Sequence, residues 1–170
     1  MIPDWLPAQL LFSGSSLQAD IDKLYTIYET DFVKAPASIV DGSPVYVNSH
    51  PDPAWDRKYP HGFTHIITRG NDVRSIDYSR ACKLPWIKAA LENYTQPEVT
   101  AFWHHSSSGD TLYLWLADLD FVIILRPKND DYIIPAQKRV IITAFCIDQK
   151  WQRKDLQKKY ANSFRQLGEI

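Results

Sequence analysis

Cysteine is almost missing from this chain of 170 residues, which has only Cys82 and Cys146. Two cysteines give no disulfide framework and cannot complete a metal site alone, so both are expected as reduced thiols, one in a helix and one in a buried strand. Long apolar runs are missing too. Nothing approaches the roughly 18 apolar residues that span a bilayer, and the opening MIPDWLPAQLLFSG lacks the basic start and apolar centre of a signal peptide. A cytoplasmic protein with no membrane partner is therefore expected. The glycine-rich phosphate and dinucleotide loops, the GxSxG elbow, the HExxH helix and the EF-hand loop are also absent. That removes most cofactor enzymes, and no cofactor is expected. His61 and His65 have the spacing of two helical metal ligands, but no nearby glutamate completes a zinc pattern, so no metal is expected either. Nor is there a large net charge: 19 basic residues face 20 acidic ones, which argues against a strongly basic nucleic-acid binder.

Aromatic residues are plentiful, with 6 Trp, 9 Tyr and 7 Phe, and 45% of the chain is apolar. This is a globular composition, and the length suits a single domain over 1–170. Charge is unevenly placed: residues 1–60 carry 8 acidic and 4 basic side chains, whereas 138–170 carry 8 basic and 3 acidic. Such asymmetry is compatible with one side facing a polyanion.

The first half reads as helix and loop. SLQADIDKLYTIYETDFV places Leu17, Ile21, Leu24, Ile27 and Tyr28 on one helical face, with Ser15 or Ser16 as N-cap. An Asp-Gly pair at 41–42 between short β-branched runs predicts a small hairpin, followed by a proline-rich loop to about Tyr59. GFTHIITRG is one short helix or strand, and DYSRACKLPWIKAALENY is two helical pieces, capped by Asp77 and divided at Pro85. The second half changes period. VTAFWHHSSS, TLYLWLAD, DFVIILRP and KRVIITAFCI are strand-like, with a longer KNDDYIIPAQ loop before the last, and the basic segment from Asp148 to Leu167 closes the chain as a helix. The expected fold is α+β: N-terminal helices packed on one face of a four-stranded antiparallel meander, with a C-terminal basic helix. The other sheet face, where Thr111, Tyr113 and Trp115 alternate with leucines, is expected to stay open for binding.

The segments GFTHIITRG, VRSIDYSRACKLPWIKAALEN, YLWLADLDFVIIL and VIITAFCIDQKWQRKDLQKKY, in that order from about Pro60 to Tyr160, resemble the phage and prophage branch of the barnase, EndoU, colicin and RelE-like nuclease superfamily. The resemblance makes 60–160 a nuclease core and 1–59 an N-terminal extension. It implies RNA cleavage without a metal by a toxin-like nuclease, with RNA as substrate and a cognate inhibitor as protein partner. Its implied catalytic residues are His65, Arg69, Arg80 and Thr143, with Tyr160 as an addition. Lys88 and the sheet aromatics Trp103 and Tyr113 join Tyr160 as expected substrate-binding residues.

The chemistry suits these residue types. Activating a ribose 2′-hydroxyl needs a base of near-neutral pKa, which histidine supplies. A guanidinium fork holds phosphate oxygens and stays charged, and a threonine hydroxyl can position either. Each residue also has a plainer reading: His65 as a packed or capping side chain, Arg69 as a helix C-terminal cation, Arg80 as the ion-pair partner of Asp77, Thr143 as an ordinary strand residue. His104 and His105 read as surface histidines beside a turn. A function of a different class also fits, a non-catalytic phage accessory or immunity-type module that docks partners on its aromatic sheet face.

Overall fold

The computed structural model describes residues 1–128 and 138–168. Helix α1 (Leu17–Tyr28) starts where the Ser16 hydroxyl accepts the Ala19 N–H, and it runs on into a π-helical turn at Glu29–Lys34. Its Ile21, Leu24 and Tyr28 go into the core, as their helical spacing requires. Strands β1 (Ile39–Val40) and β2 (Ser43–Tyr46) form the small hairpin, turning at Asp41 and Gly42, both with positive φ. After a loop come α2 (His61–Ile67), a short ribbon of β3 (Thr68–Arg69) and β4 (Ser75–Ile76), and two short helices, α3 (Tyr78–Ala81) and α4 (Leu84–Glu92). Asp77 caps α3 by accepting the Ser79 and Arg80 N–H groups, and Pro85 sits in the first turn of α4, where its missing N–H costs nothing. The second half supplies β5 (Thr100–Ser106), β6 (Gly109–Leu116), β7 (Phe121–Lys128), β8 (Lys138–Cys146), helix α5 (Lys150–Ala161) and β9 (Arg165–Leu167). The loop expected after Lys128 falls on residues 129–137, outside the described residues. No helix among the described residues is long and apolar enough to cross a membrane.

The expectation of a four-stranded antiparallel meander is corrected. The sheet is mixed and has seven strands in the order β1-β2-β8-β7-β6-β5-β9. Strands β5 to β8 are neighbours and antiparallel, but β2 joins β8 in parallel, with Tyr46 opposite Val140, and β9 pairs with β5 on the far side. The added strands have two to four residues, too few to show a period. A parallel pairing is open to β2 because nearly a hundred residues of chain separate it from β8. The buried Arg139 fastens this joint: its Nε donates to the Val40 carbonyl at 3.0 Å and its Nη2 to that of Asp41 at 2.9 Å.

Both sheet faces are covered over β5, β6 and β7. Helices α1, α2 and α4 cover the face that carries Ala101, Leu112, Leu114, Ile123 and Ala144. On the other, α5 lays Leu156 and Tyr160 over Phe102, Tyr113, Trp115 and Val122. The expected docking face is therefore a second, smaller core. The basic C-terminal segment is helical only to Ala161, then reverses to form β9; Trp151 in the first turn of α5 and Phe164 before β9 are both exposed. Because Leu156 is 3% exposed and anchors α5, Leu156→Ala is expected to cost about 2–4 kcal/mol, read by urea unfolding. Trp151→Ala, at 65% exposure, should change stability by no more than about 0.5 kcal/mol.

Candidate functional site

Helix α2 brings the chain to β8, against which it and α3 both pack. Its approach depends on Gly62. A β-carbon there would stand 2.9 Å from both the N and O atoms of Asn48, whose carbonyl accepts the Gly62 N–H at 2.8 Å. Beneath the helix lies the Asp52 carboxylate, 8% exposed, bonded by the Thr64 hydroxyl at 2.5 Å and the Ala54 N–H at 2.9 Å. Burial would raise its pKa, but these bonds and the positive groups nearby outweigh burial and hold it below the usual carboxylate range. The helix is thus fixed to the loop before it by a charge-assisted bond.

At the other end of α2, Arg74 reaches back across the β3–β4 ribbon and acts as the cap that the helix itself lacks. Its Nε donates to the Thr68 hydroxyl at 2.9 Å, Nη1 to the Gly70 carbonyl at 2.6 Å, and Nη2 to the carbonyls of Thr68 at 2.9 Å and His65 at 3.2 Å. A cation at a helix C-terminus satisfies orphan carbonyls and complements the dipole. Gly70 permits the tight return: its φ is +125°, and a β-carbon would meet the Val73 carbonyl oxygen at 2.3 Å. Arg80, from α3, donates Nη1 to the same Thr68 oxygen at 2.9 Å, and its Nε stands 3.9 Å from the Asp77 carboxylate. That Nε is buried and has no hydrogen-bond partner.

A cavity of about 280 Å³ opens at this junction. His65 from α2, Arg69 from β3, Arg74, Asp77, Arg80 from α3 and Thr143 from β8 line it, with Phe145, Cys146 and Gln152 completing the wall. All four residues expected to be catalytic therefore share one concavity, although they come from four separate elements. Arg69 is the most exposed of them and pairs with Asp148 at 2.7 Å. This contact, not the helix dipole alone, engages it. Arg80 does meet Asp77, as its plainer reading had it, but it also faces the cavity.

Three guanidinium groups against the one lining carboxylate make the cavity cationic. His65 responds to that field. Burial first, then Arg74, His61 and Arg80, push its pKa from 6.5 down to about 4. The imidazole is then neutral at pH 7, and in the free site it is a weaker base than an ordinary histidine. The His61 ring lies parallel to it, centroids 5.6 Å apart. Among the described residues, no group of three His, Cys, Asp or Glu side chains is placed to hold a metal ion.

The four residues expected to bind substrate are elsewhere. Lys88 pairs with Glu92 at 2.9 Å on α4 and donates to Ser38. Trp103 is 6% exposed, its Nε1 donating to Asp41 and its ring covered by Arg139. Tyr113, 7% exposed, stacks on Phe102, and Tyr160 packs edge-on against the same ring from α5. Tyr113 and Tyr160 are where they are because α5 covers that face. His105 pairs with Asp110 at 2.6 Å at the β5–β6 turn. Arg74 escaped the sequence reading because its donors serve main-chain carbonyls, a role that leaves no periodic signal. Its one trace is its position five residues after Arg69, across the Gly-Asn turn.

Compared with known protein families, curated proteins and solved structures, the chain matches none.

The depressed pKa of His65 fixes a pH dependence. Below 6.5 the unfolded chain protonates this residue while the folded chain does not, so the unfolded state binds more protons and stability falls as pH drops from 6.5 toward 4. His65→Gln should flatten that part of a stability-against-pH curve measured by chemical unfolding. In a proton NMR titration the His65 ring should show an apparent pKa near 4, and it should rise when inorganic phosphate is added, since an anion offsets the neighbouring guanidinium groups.

Proposed function

We propose that this protein is an endoribonuclease that cleaves RNA without a metal ion, by attack of a ribose 2′-hydroxyl on the adjacent phosphorus. The observation that carries this reading is the convergence of His65, Arg69, Arg80 and Thr143 on one cationic cavity. A neutral imidazole beside guanidinium groups is the pair of functions the reaction asks for, a base for the hydroxyl proton and fixed positive charge for the pentacoordinate phosphorane.

His65 takes the 2′-hydroxyl proton as the 2′-oxygen bonds to phosphorus. The bond from phosphorus to the 5′-oxygen breaks, and that oxygen leaves with the electron pair and is protonated, by the imidazolium or by water. The products are a 2′,3′-cyclic phosphate and a 5′-hydroxyl. Arg80, already anchored through Nη1 to the Thr68 carbonyl, needs no reorganisation to present its remaining donors to a phosphate oxygen. Arg69 would exchange Asp148 for the substrate, a swap of one oxyanion for another. Thr143 on β8 also lines the cavity and offers a hydroxyl. Negative charge arriving on the phosphorane stabilises the imidazolium as it forms, so the low pKa of the free site does not oppose the transition state.

His65→Ala is expected to lower cleavage of an RNA oligonucleotide by roughly 10²–10⁴-fold, and Arg80→Gln by roughly 10²–10³-fold, each checked for folding by circular dichroism. EDTA should not reduce the rate, and an oligonucleotide with deoxyribose at the cleaved position should stay intact. Equal cleavage by wild type and His65→Ala would place the chemistry elsewhere, and 3′-hydroxyl products would exclude the 2′-hydroxyl route.

A further inference from the structure

The chain's two cysteines lie in different halves of the sequence, yet both sulfurs bond to one oxygen. Cys82, the C-cap of α3, donates to the Ser79 carbonyl at 3.5 Å, and Cys146, the last residue of β8, donates to the same carbonyl at 3.1 Å. A bond between them requires the two sulfurs to leave that carbonyl and turn toward each other. Both thiols are half-buried, and Cys146 forms part of the wall of the cavity at His65, which gives a small solute a path to it.

The surroundings of the two sulfurs differ. The Lys83 ammonium donates to the Cys146 sulfur at 3.1 Å and stands 5.3 Å from the centre of the Trp86 ring, a second contact that holds it in place. A cation in contact with sulfur stabilises the anion that attacks an electrophile. Cys82 donates instead to the side-chain oxygen of Gln9 at 3.3 Å as well as to Ser79. Burial pushes the Cys82 thiol up, against the opposing pull of Lys83. One sulfur is therefore placed to attack and the other to react second. An accessible sulfur beside a cation, with a second thiol close by, is the arrangement of a redox-sensing pair.

We infer that Cys82 and Cys146 are a peroxide-sensitive pair that closes to a disulfide beside the cavity. The Cys146 sulfur, as its anion, attacks one oxygen of hydrogen peroxide; the O–O bond breaks, a sulfenic acid forms, and the other oxygen takes up a proton and leaves as water. The Cys82 sulfur then attacks the Cys146 sulfur. The S–O bond breaks, the S–S bond forms, and the hydroxyl leaves with the Cys82 proton as a second water. The two thiols are oxidised to one disulfide and the peroxide is reduced to water. The product ties α3, which carries Arg80, to β8, which carries Thr143. None of this depends on the ribonuclease reading.

The test treats folded wild type with hydrogen peroxide at neutral pH, stops the reaction with catalase, and follows intact mass and peptide maps beside Cys82→Ser, Cys146→Ser and Lys83→Gln. The wild type is expected to lose two hydrogens within one chain and to give a linked Cys82–Cys146 peptide that dithiothreitol separates. The link should form faster in the folded protein than in the same chain unfolded in urea, a comparison that needs no variant. Cys82→Ser should gain one oxygen at Cys146, captured by dimedone; in Cys146→Ser, Cys82 should stay reduced over the same time; Lys83→Gln should slow the reaction of Cys146 several-fold. Circular dichroism checks that each variant is folded. A disulfide between two chains, a Lys83–Cys146 link through an inserted oxygen, or thiols that react no faster folded than in urea each overturn the inference.

Discussion

One carbonyl oxygen, that of Thr68, accepts hydrogen bonds from two guanidinium groups, Arg74 and Arg80. Much of the candidate site follows from that. Two like charges held this close repel, and the arrangement persists because the end of a helix presents its negative dipole there and because Asp77 stands beside Arg80. The field that results is part of the fold, since Arg74 is spent on main-chain carbonyls and cannot be removed without uncapping α2. Burial first, and then the same field, hold the His65 pKa down to about 4. In the ribonuclease reading, the groups that hold the helix end together are also the groups that poise the base, and a substitution of Arg74 would disturb both at once.

What could be read from residue order alone divides along a physical line. Local signals were legible: Ser16 and Asp77 as N-caps, Pro85 restarting a helix, the Asp41–Gly42 turn, and the co-occurrence of His65 and Arg69 around one short helix. Each depends on contacts within a few residues. The sheet was legible only in part, because alternation shows that Tyr113 and Trp115 share a face but carries no information on what covers it. The segment that does cover it, α5, has only Leu156 buried, so its amphipathic pattern is weak, and Phe164 and Leu167 were read into the helix although they belong to the return that forms β9. The cost of that misreading fell on Trp103, Tyr113 and Tyr160, which are packing residues. Lys88 is engaged by Glu92 on its own helix. By contrast His65, Arg69, Arg80 and Thr143 line one cavity although no single element holds more than one of them, and periodicity carries no information on such a meeting.

The mixed character of the sheet matters for the same reason. Strand β2 stops at Tyr46, opposite Val140, so among the described residues the rest of β8 has no strand on that side. Helices α2 and α3 pack against β8 there, and the cavity at His65 lies along it. A longer β2 would run on beside the part of β8 that lines this cavity.

The joint between β2 and β8 also sets an order of assembly. Arg139 bonds to the carbonyls of Val40 and Asp41, partners 99 and 98 residues earlier in the chain, and Arg69 meets Asp148 79 residues later. Contacts of such sequence separation carry a large loop-closure entropy and form late. A growing chain therefore holds His65, Arg69 and Arg80 long before the strand that completes their cavity has been made. For a molecule read as cutting RNA, the topology works as a built-in delay: nascent chains on the ribosome, surrounded by RNA, lack one wall of the site until β8 has emerged and docked.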